Sequence, residues 1–133
     1  MRGLIGRAAA VAFLAAAVQT PEPASAQALT PMRGQVTSFG EEFALRVVAR
    51  NPFPGRLGVV MRAYDHEFRP ISARFSRSRF VLGGGKVRRV TALIPFEGRP
   101  VRFVRVCAEA VAVRDETQNI RTRVCGKFRA QRR

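Results

Sequence analysis

The sequence predicts an all-β protein, an antiparallel β-sandwich of about seven strands with a disulfide across its last hairpin. Three observations lead to this fold class. Short segments alternate apolar and polar residues with a period of two, turn residues separate these segments about every 8 to 12 residues, and no long segment has the apolar period of a helix. Such alternation turns one face of each strand towards a core and the other towards water.

The segment from Val101 to Ala130 is typical of a long antiparallel hairpin and contains both cysteines of the chain. One register of this hairpin places Cys107 opposite Cys125 and Glu109 opposite Arg123. Opposed positions on neighbouring strands lie at the distance that a disulfide needs. We therefore expect a Cys107–Cys125 bridge, with an apolar face of the hairpin in the core and a charged face in water.

The strands that precede the hairpin each end at residues that favour turns. They are Met32–Phe39, Phe43–Arg50, Leu57–Asp65, Ile71–Ser76, Arg79–Leu82 and Lys86–Ile94. Leu57–Asp65 has apolar residues on both faces, which favours a central place in its sheet. Residues 27–31 are expected to be a loose lead-in and residues 131–133 a frayed basic tail. This number and spacing of strands is that of an immunoglobulin-like sandwich.

Residues 1–26 have the features of a secretory signal peptide. Two arginines give a positive start, an apolar run extends from Ala8 to Val18, and the small residues Ala24 to Ala26 suit a cleavage site. The apolar run is shorter than the roughly 20 residues that a membrane-spanning helix needs. We therefore expect residues 27–133 to form a single exported domain, periplasmic or secreted, without a transmembrane segment after cleavage.

Positive charge is the strongest compositional signal. Without residues 1–26 the chain keeps 22 basic and 8 acidic residues, a net charge of +14. Arginines recur at positions that face outwards, and we take these as candidate anion-binding residues: Arg46, Arg50, Arg88, Arg89, Arg105, Arg121, Arg123 and Arg129. If their strands share a sheet, they form one basic face for an anionic envelope polymer. A genomic bias towards arginine explains the composition equally well, since the chain has 22 arginines and 2 lysines.

No arrangement of residues for catalysis is evident, so we expect a non-enzymatic protein without a metal or cofactor. His66 is the only histidine, and the YDHEF sequence around it suits a solvated loop better than a metal site with three or four ligands. The GGGK sequence at residues 83–86 lacks the frame of a phosphate-binding loop. Specific nucleic-acid binding is not indicated, because the chain has no Trp, one Tyr and phenylalanines mostly at core positions.

Three segments resemble a known family: ALRVVARNP from Ala44, LGVVMRAYD from Leu57 and RFVLGGGKVRRV from Arg79. A strand ending in Asn, a strand with an aromatic and an acidic residue, and an apolar strand followed by glycines and a basic strand are similar to the N-terminal domain of periplasmic pilus-assembly chaperones. The resemblance covers about half of the mature chain. It implies an immunoglobulin-like fold and binding by strand addition, with basic side chains that anchor the carboxyl end of the partner. It does not assign those basic side chains to positions in this chain.

Three functions are compatible with these observations. The first is a chaperone-like binding or assembly role in the cell envelope, in which a sheet edge from Phe39–Asn51 or from the last strand pairs with an extended segment of a protein partner. Arginines on an edge can equally serve to block such pairing. The second is electrostatic binding of envelope polyanions through the arginines, which salt would weaken steeply. The third is inhibition of an exported hydrolase through a loop such as Phe53–Arg56.

Overall fold

The computed structural model describes residues 28–111 and 122–133, which form two β-sheets packed face to face. The strands in these ranges are β1 (Leu29–Thr30), β2 (Arg33–Ser38), β3 (Glu42–Arg50), β4 (Leu57–Asp65), β5 (Arg74–Phe75), β6 (Arg79–Leu82), β7 (Val87–Pro95), β8 (Val101–Val111) and β9 (Arg123–Arg132). The predicted all-β class is confirmed. The described residues include no helix long and apolar enough to cross a bilayer.

The first sheet has the strand order β1-β3-β7-β5 and the second sheet has the order β2-β9-β8-β4-β6. β4 lies between β8 and β6, so the central place predicted for Leu57–Asp65 is confirmed. The second sheet is mixed rather than purely antiparallel, because β2 runs parallel to β9. The predicted strand Ile71–Ser76 is reduced to β5, since only Arg74 and Phe75 pair with β7.

The last hairpin has the predicted register. Cys107 lies opposite Cys125 and forms a disulfide with it, and Glu109 lies opposite Arg123. The even-numbered residues of β8 and those of β9 up to Ala130 face the core, as the alternation predicts. The turn expected between the two strands of the hairpin lies outside the described residues.

The first segment of the described chain contributes to both sheets, and we call β1 and β2 together the crossing strand. Leu29 pairs with Ala49 at the end of β3, and after Pro31 the chain pairs Arg33 with Lys127 in the middle of β9. The prediction of a loose lead-in was wrong, because Leu29 is completely buried in the core and holds this segment in place. Each half of the crossing strand covers only part of one sheet edge.

The predicted frayed tail is paired with the body of the sandwich. The backbone N–H of Arg132 donates to the Pro100 carbonyl at 2.8 Å, and that of Arg133 donates to the Ser38 carbonyl at 2.9 Å. These bonds continue the β9 ladder to the end of the strand, so the prediction for residues 131–133 was wrong. Main-chain hydrogen bonding outweighs the repulsion between adjacent arginines here.

The core lies between the two sheets and consists of the inward-facing residues of their strands. The rings of Phe43 and Phe96 contact each other there, with centroids 4.8 Å apart. The largest fully buried side chains also include Leu29, Ile94, Val47, Val90, Val104 and Val106.

Asn51 closes one end of the sandwich. Its Nδ2 donates to the carbonyls of Gly55 at 2.7 Å and Leu82 at 3.0 Å, and its Oδ1 accepts from the Phe53 N–H at 2.9 Å. The side chain is completely buried. One amide thus ties the turn after β3 to the end of β6, which gives a physical reason for a strand that ends in Asn.

Candidate functional site

The candidate arginines do not form one basic face, because their strands belong to different sheets. On the outer face of the first sheet lie Arg46, Arg50 and Arg89. On the outer face of the second sheet lie Arg105, Arg123 and Arg129. Arg88 has the opposite orientation, since it pairs with the buried Ala49 and its guanidinium lies 5.3 Å from the centre of the Phe80 ring. Arg121 lies outside the described residues.

Basic side chains crowd together on the outer face of the second sheet, where β2, β9 and β8 are neighbours. An open groove of about 850 Å³ lies there, and we call it the basic groove after five of its lining residues: Arg33, Phe103, Arg105, Lys127 and Arg129. Arg105, Lys127 and Arg33 are direct neighbours across the three strands, and Phe103 is the direct neighbour of Arg129. Phe103 is 55% exposed, so the groove combines cations with an apolar floor.

The cations of the basic groove have no carboxylate partner among the described residues. The Arg105 guanidinium lies 4.1 Å from the centre of the Phe68 ring and donates to the His66 carbonyl at 3.2 Å. Arg129 donates to Oε1 of Gln131 at 3.3 Å. Like charges at directly opposed positions of a sheet repel each other. The groove therefore has an unbalanced positive potential that suits an anion.

Glu109 lies on the same face and is shared among three partners. Its Oε1 accepts from the hydroxyl of Tyr64 at 2.6 Å and lies 4.0 Å from Nη1 of Arg123, and its Oε2 lies 3.1 Å from Nε of Arg62. The predicted opposition of Glu109 and Arg123 is thus confirmed. Because this carboxylate is engaged here, it does not neutralise the basic groove.

The hydroxyl of Tyr64 allows a spectroscopic test of the Glu109 cluster. Its hydrogen bond to the Glu109 carboxylate, together with burial, raises the pKa of Tyr64 above its usual 10.0. Since the folded-state pKa is raised, this interaction stabilises the folded protein below about pH 10 and the contribution is lost as the pH rises through the folded-state pKa. We expect Glu109→Ala to lower the pKa of Tyr64 towards 10.0.

Alkaline titration followed by the near-ultraviolet absorbance of tyrosinate measures this pKa directly. Tyr64 is the only tyrosine in a chain without tryptophan, so the signal has a single source. Glu67→Ala removes an exposed carboxylate from the next turn and serves as the matched control, which should leave the titration unchanged. An identical titration for Glu109→Ala and the wild type would contradict the hydrogen bond.

The segment around His66 forms a surface turn. Oδ1 of Asp65 accepts from the backbone N–H groups of Arg69 at 2.9 Å and Glu67 at 2.8 Å. These hydrogen bonds lower the pKa of the Asp65 carboxyl, and the bond from Arg69 has the largest effect. Nε2 of His66 lies 3.5 Å from the Glu67 carboxylate. Within residues 28–111 and 122–133, no group of three His, Cys, Asp or Glu side chains is placed to hold a metal ion.

Backbone pairing leaves the first part of β9 with one open side. The Arg132 N–H donates to Pro100, so the even-numbered residues of β9 bond to β8 and the odd-numbered ones face away from it. Lys127 accordingly donates to the crossing strand at 2.9 Å. Because β2 begins opposite Lys127, the backbone groups of Arg123 and Cys125 face a side that no described strand covers.

We call Arg123–Cys125 the free edge of β9, because the crossing segment already lies beside Gly126 at Pro31 and Met32. The Cys107–Cys125 disulfide ties this edge to β8. β3 has a comparable open stretch at residues 43–47, because β1 covers only the far end of β3. Both segments that the sequence indicated as candidate edges therefore contain a part that is open to pairing.

Sequence reasoning did not select Arg33, Lys127 or Phe103 as site residues. The outward phase of Lys127 and Phe103 could be read from the alternation in the hairpin. Arg33 joins them only because β2 pairs in parallel with the last strand. No local pattern near Arg33 indicates that neighbour.

No family model matches the sequence, and no curated protein matches it either. Solved structures do match. The periplasmic chaperone SfaE covers 80% of this chain at 12% identity with a TM-score of 0.64, and the E. coli chaperone DraB covers 78% at 16% identity with a TM-score of 0.61. A PapD-like domain of human CEP192 covers 98% of this chain at 12% identity, with a TM-score of 0.58 over 98% of its own length. The chain has the PapD-like immunoglobulin fold.

The PapD-like fold confirms the resemblance to pilus chaperones as a resemblance of fold. The match covers 57% of the SfaE chain and 53% of the DraB chain, so this protein spans about half the length of those chaperones. The SafB chaperone of Salmonella enterica, solved in complex with the SafA pilin, matches 78% of this chain at 18% identity with a TM-score of 0.60 over 53% of its own length. These matches are chaperones and PapD-like domains rather than enzymes.

Proposed function

We propose that this PapD-like protein is an exported, non-enzymatic binding or assembly protein that pairs the free edge of β9 with an extended segment of a protein partner. The observation that carries the proposal is the crossing strand, which leaves Arg123–Cys125 open near the cations Arg33 and Lys127. Strand addition supplies main-chain hydrogen bonds from such an edge. The Cys107–Cys125 disulfide suits an oxidising compartment, and residues 1–26 suit export to the periplasm or beyond.

The position of β2 determines how far such a segment can extend. A partner segment running parallel to β9 would lie in line with β2 and would end where β2 begins. Its carboxyl group would then be close to Arg33 and Lys127, which lie on strands about 4.8 Å apart. Neither side chain has an ion pair with a described residue, so both are available to an incoming carboxylate. The resemblance to pilus chaperones likewise implies that basic side chains anchor the carboxyl end of the partner.

Binding of an anionic envelope polymer is the alternative proposal, and its support is the basic groove rather than a face shared by all the arginines. Because polyanion binding releases counterions, its affinity should fall steeply with salt. Main-chain pairing at an apolar edge should depend on salt only weakly. Inhibition of a hydrolase through Phe53–Arg56 gains no such support, because Asn51 engages this turn for the fold itself.

We expect Arg123→Pro to weaken binding of an extended peptide by at least about tenfold. The substitution removes an N–H that faces the open side, and it leaves the β8 ladder intact because only even-numbered residues of β9 bond to β8. The measurement is fluorescence anisotropy with a labelled synthetic peptide of alternating valine and serine and a free carboxyl end.

Two variants control this experiment. Arg46→Pro makes the same chemical change at the open stretch of β3, where even-numbered residues face outwards from the ladder with β7. Arg123→Ala removes the charge of Arg123 and keeps its N–H. Both should bind the peptide nearly as the wild type does. Loss of binding in Arg46→Pro but not in Arg123→Pro would move the site to β3, and equal loss in Arg123→Ala and Arg123→Pro would make charge, not pairing, the cause.

A further inference from the structure

The basic groove contains a large apolar side chain that a site for anions alone would not need. Phe103 is 55% exposed, and it lies on β8 directly opposite Arg129. An exposed phenyl ring is unfavourable in water, and covering it with an apolar group is favourable. A ligand that fills this groove therefore needs an apolar part as well as a negative charge.

Three cations form a row next to Phe103. Arg33, Lys127 and Arg105 are direct neighbours on β2, β9 and β8, whose backbones lie about 4.8 Å apart. Lys127 is the middle member of this row, so an anion that binds to it has a further cation on each side. No carboxylate of the described residues forms an ion pair with any of the three. The row therefore has the charge for a compact anion such as a phosphate group.

Arg105 is fixed at the side of the groove by neutral partners. Its guanidinium lies 4.1 Å from the centre of the Phe68 ring and donates to the His66 carbonyl at 3.2 Å. These contacts hold the side chain without cancelling its charge. Because Arg105 is already ordered, a ligand loses less conformational entropy when it binds there.

The apolar part and the cations lie in adjacent rows of the same face. Phe103 precedes Arg105 by two residues on β8, so the ring lies about 7 Å from the row of cations along the strand. The groove between them has a volume of about 850 Å³, enough for one small ligand. A segment paired with the free edge of β9 would run along that strand and would not reach β8. The groove therefore suits a ligand of a different kind.

We propose that the basic groove binds a small anionic amphiphile, a phosphate head group on a single alkyl chain. The head group lies at Lys127 between Arg33 and Arg105, and the alkyl chain covers Phe103. This inference goes beyond the proposed sheet-edge function and does not depend on it, because the free edge of β9 takes no part. An anionic polymer would use the same cations without needing Phe103.

Alkyl phosphates of different chain length test the proposal by isothermal titration calorimetry, at concentrations too low for micelles. The ligands are butyl phosphate, octyl phosphate and the uncharged octyl glucoside. The proteins are the wild type, Lys127→Gln and Phe103→Ser. Two matched controls are Arg89→Gln, on the outer face of the first sheet, and Phe39→Ser, at a phenylalanine that is 81% exposed in the turn before β3.

We expect octyl phosphate to bind the wild type at least about tenfold more tightly than butyl phosphate, because each buried methylene contributes about three- to fourfold in affinity. Phe103→Ser should remove most of this difference and leave the affinity for butyl phosphate unchanged. Lys127→Gln should weaken both phosphates by a similar factor, about fivefold or more. Octyl glucoside should bind at least about tenfold more weakly than octyl phosphate, and both controls should behave as the wild type does.

Other results overturn the inference in distinguishable ways. Equal affinities of butyl and octyl phosphate, or no measurable binding of either at millimolar concentration, would show that the groove has no site for an alkyl chain. Equal binding of octyl phosphate and octyl glucoside would remove the role of the cations. A loss in Phe39→Ser as large as that in Phe103→Ser would place the chain outside the groove.

Arg123→Pro separates this inference from the proposed sheet-edge function. The variant should bind octyl phosphate as the wild type does, although it should bind an extended peptide more weakly. Failure of the peptide experiment would thus leave the amphiphile site standing, and failure of the alkyl phosphate series would leave sheet-edge pairing standing.

Discussion

We expect Asn51→Ala to lower the free energy of unfolding by about 2 to 4 kcal/mol. The buried side chain makes hydrogen bonds to the backbone of Gly55, Leu82 and Phe53, and alanine would leave those three groups without their partner. Each such loss costs about 1 to 3 kcal/mol where the group stays shielded from water. A small domain has only about 5 to 15 kcal/mol in total. Urea unfolding followed by far-ultraviolet circular dichroism measures the change.

Asn51→Asp separates the loss of donors from the loss of volume. The carboxylate has the shape of the amide but cannot donate to the Gly55 and Leu82 carbonyls, so this variant should be at least as unstable as Asn51→Ala at neutral pH. Acidification should restore part of its stability, because the protonated carboxyl regains one donor. Gln35→Ala, at an exposed amide on β2, is the control and should stay within about 0.5 kcal/mol of the wild type. Wild-type stability in Asn51→Ala would refute the role assigned to this amide.

Replacement of both cysteines by alanine should lower the free energy of unfolding by about 3 kcal/mol. The disulfide closes a loop with a sequence separation of 18 residues, and its loss gives the unfolded chain more conformational freedom. The free edge of β9 is held by β8 on one side only, so hydrogen exchange should increase more at Arg123–Cys125 than in the β3–β7 ladder.

Reduction of the wild type is the internal comparison for this double variant. The reduced protein and the variant should unfold at the same urea concentration, and both should unfold before the oxidised protein. Equal stability of the oxidised and reduced forms would mean that the β8–β9 ladder alone fixes the hairpin.

The hairpin was predictable from the sequence because its two strands carry redundant signals. Alternation sets the phase of each strand, and the opposition of Cys107 with Cys125 and of Glu109 with Arg123 sets the register. The central position of Leu57–Asp65 was predictable for a similar reason, since a strand that is apolar on both faces needs cover on both. These properties depend on residues close in sequence or on pairs of rare residues.

Features that depend on distant pairing were not predictable. The crossing strand changes sheets at Pro31, and nothing local distinguishes this change from a loop. Arg102 has the inward phase of β8, where a charged residue is unexpected. Its buried guanidinium donates to the Pro95 carbonyl and lies 3.4 Å from a Glu97 carboxylate oxygen. Alternation alone cannot foresee that a carbonyl at the end of the preceding strand β7 will accept from a buried guanidinium.

The basic groove combines both situations. The outward phase of Lys127 and Arg129 follows from the hairpin. The cluster of cations also needs Arg33, which comes from the other end of the described chain. One basic face for all the arginines was expected only if their strands share a sheet, and that condition is not met. The topology of the fold determines which strands share a sheet. The face on which an arginine lies within its own strand does not indicate which sheet that strand joins.

The crossing strand also has a consequence for the time course of folding. β2 pairs with β9, which is the last strand to be synthesised among those described, so the second sheet stays incomplete until β9 is available. Contacts between such distant segments place folding in the slow range, about milliseconds to seconds for β-sandwiches. A nascent chain with this topology cannot complete its second sheet before β9 has been synthesised, and such a delay is the condition that a polypeptide must keep if it is to be threaded across a membrane before it folds.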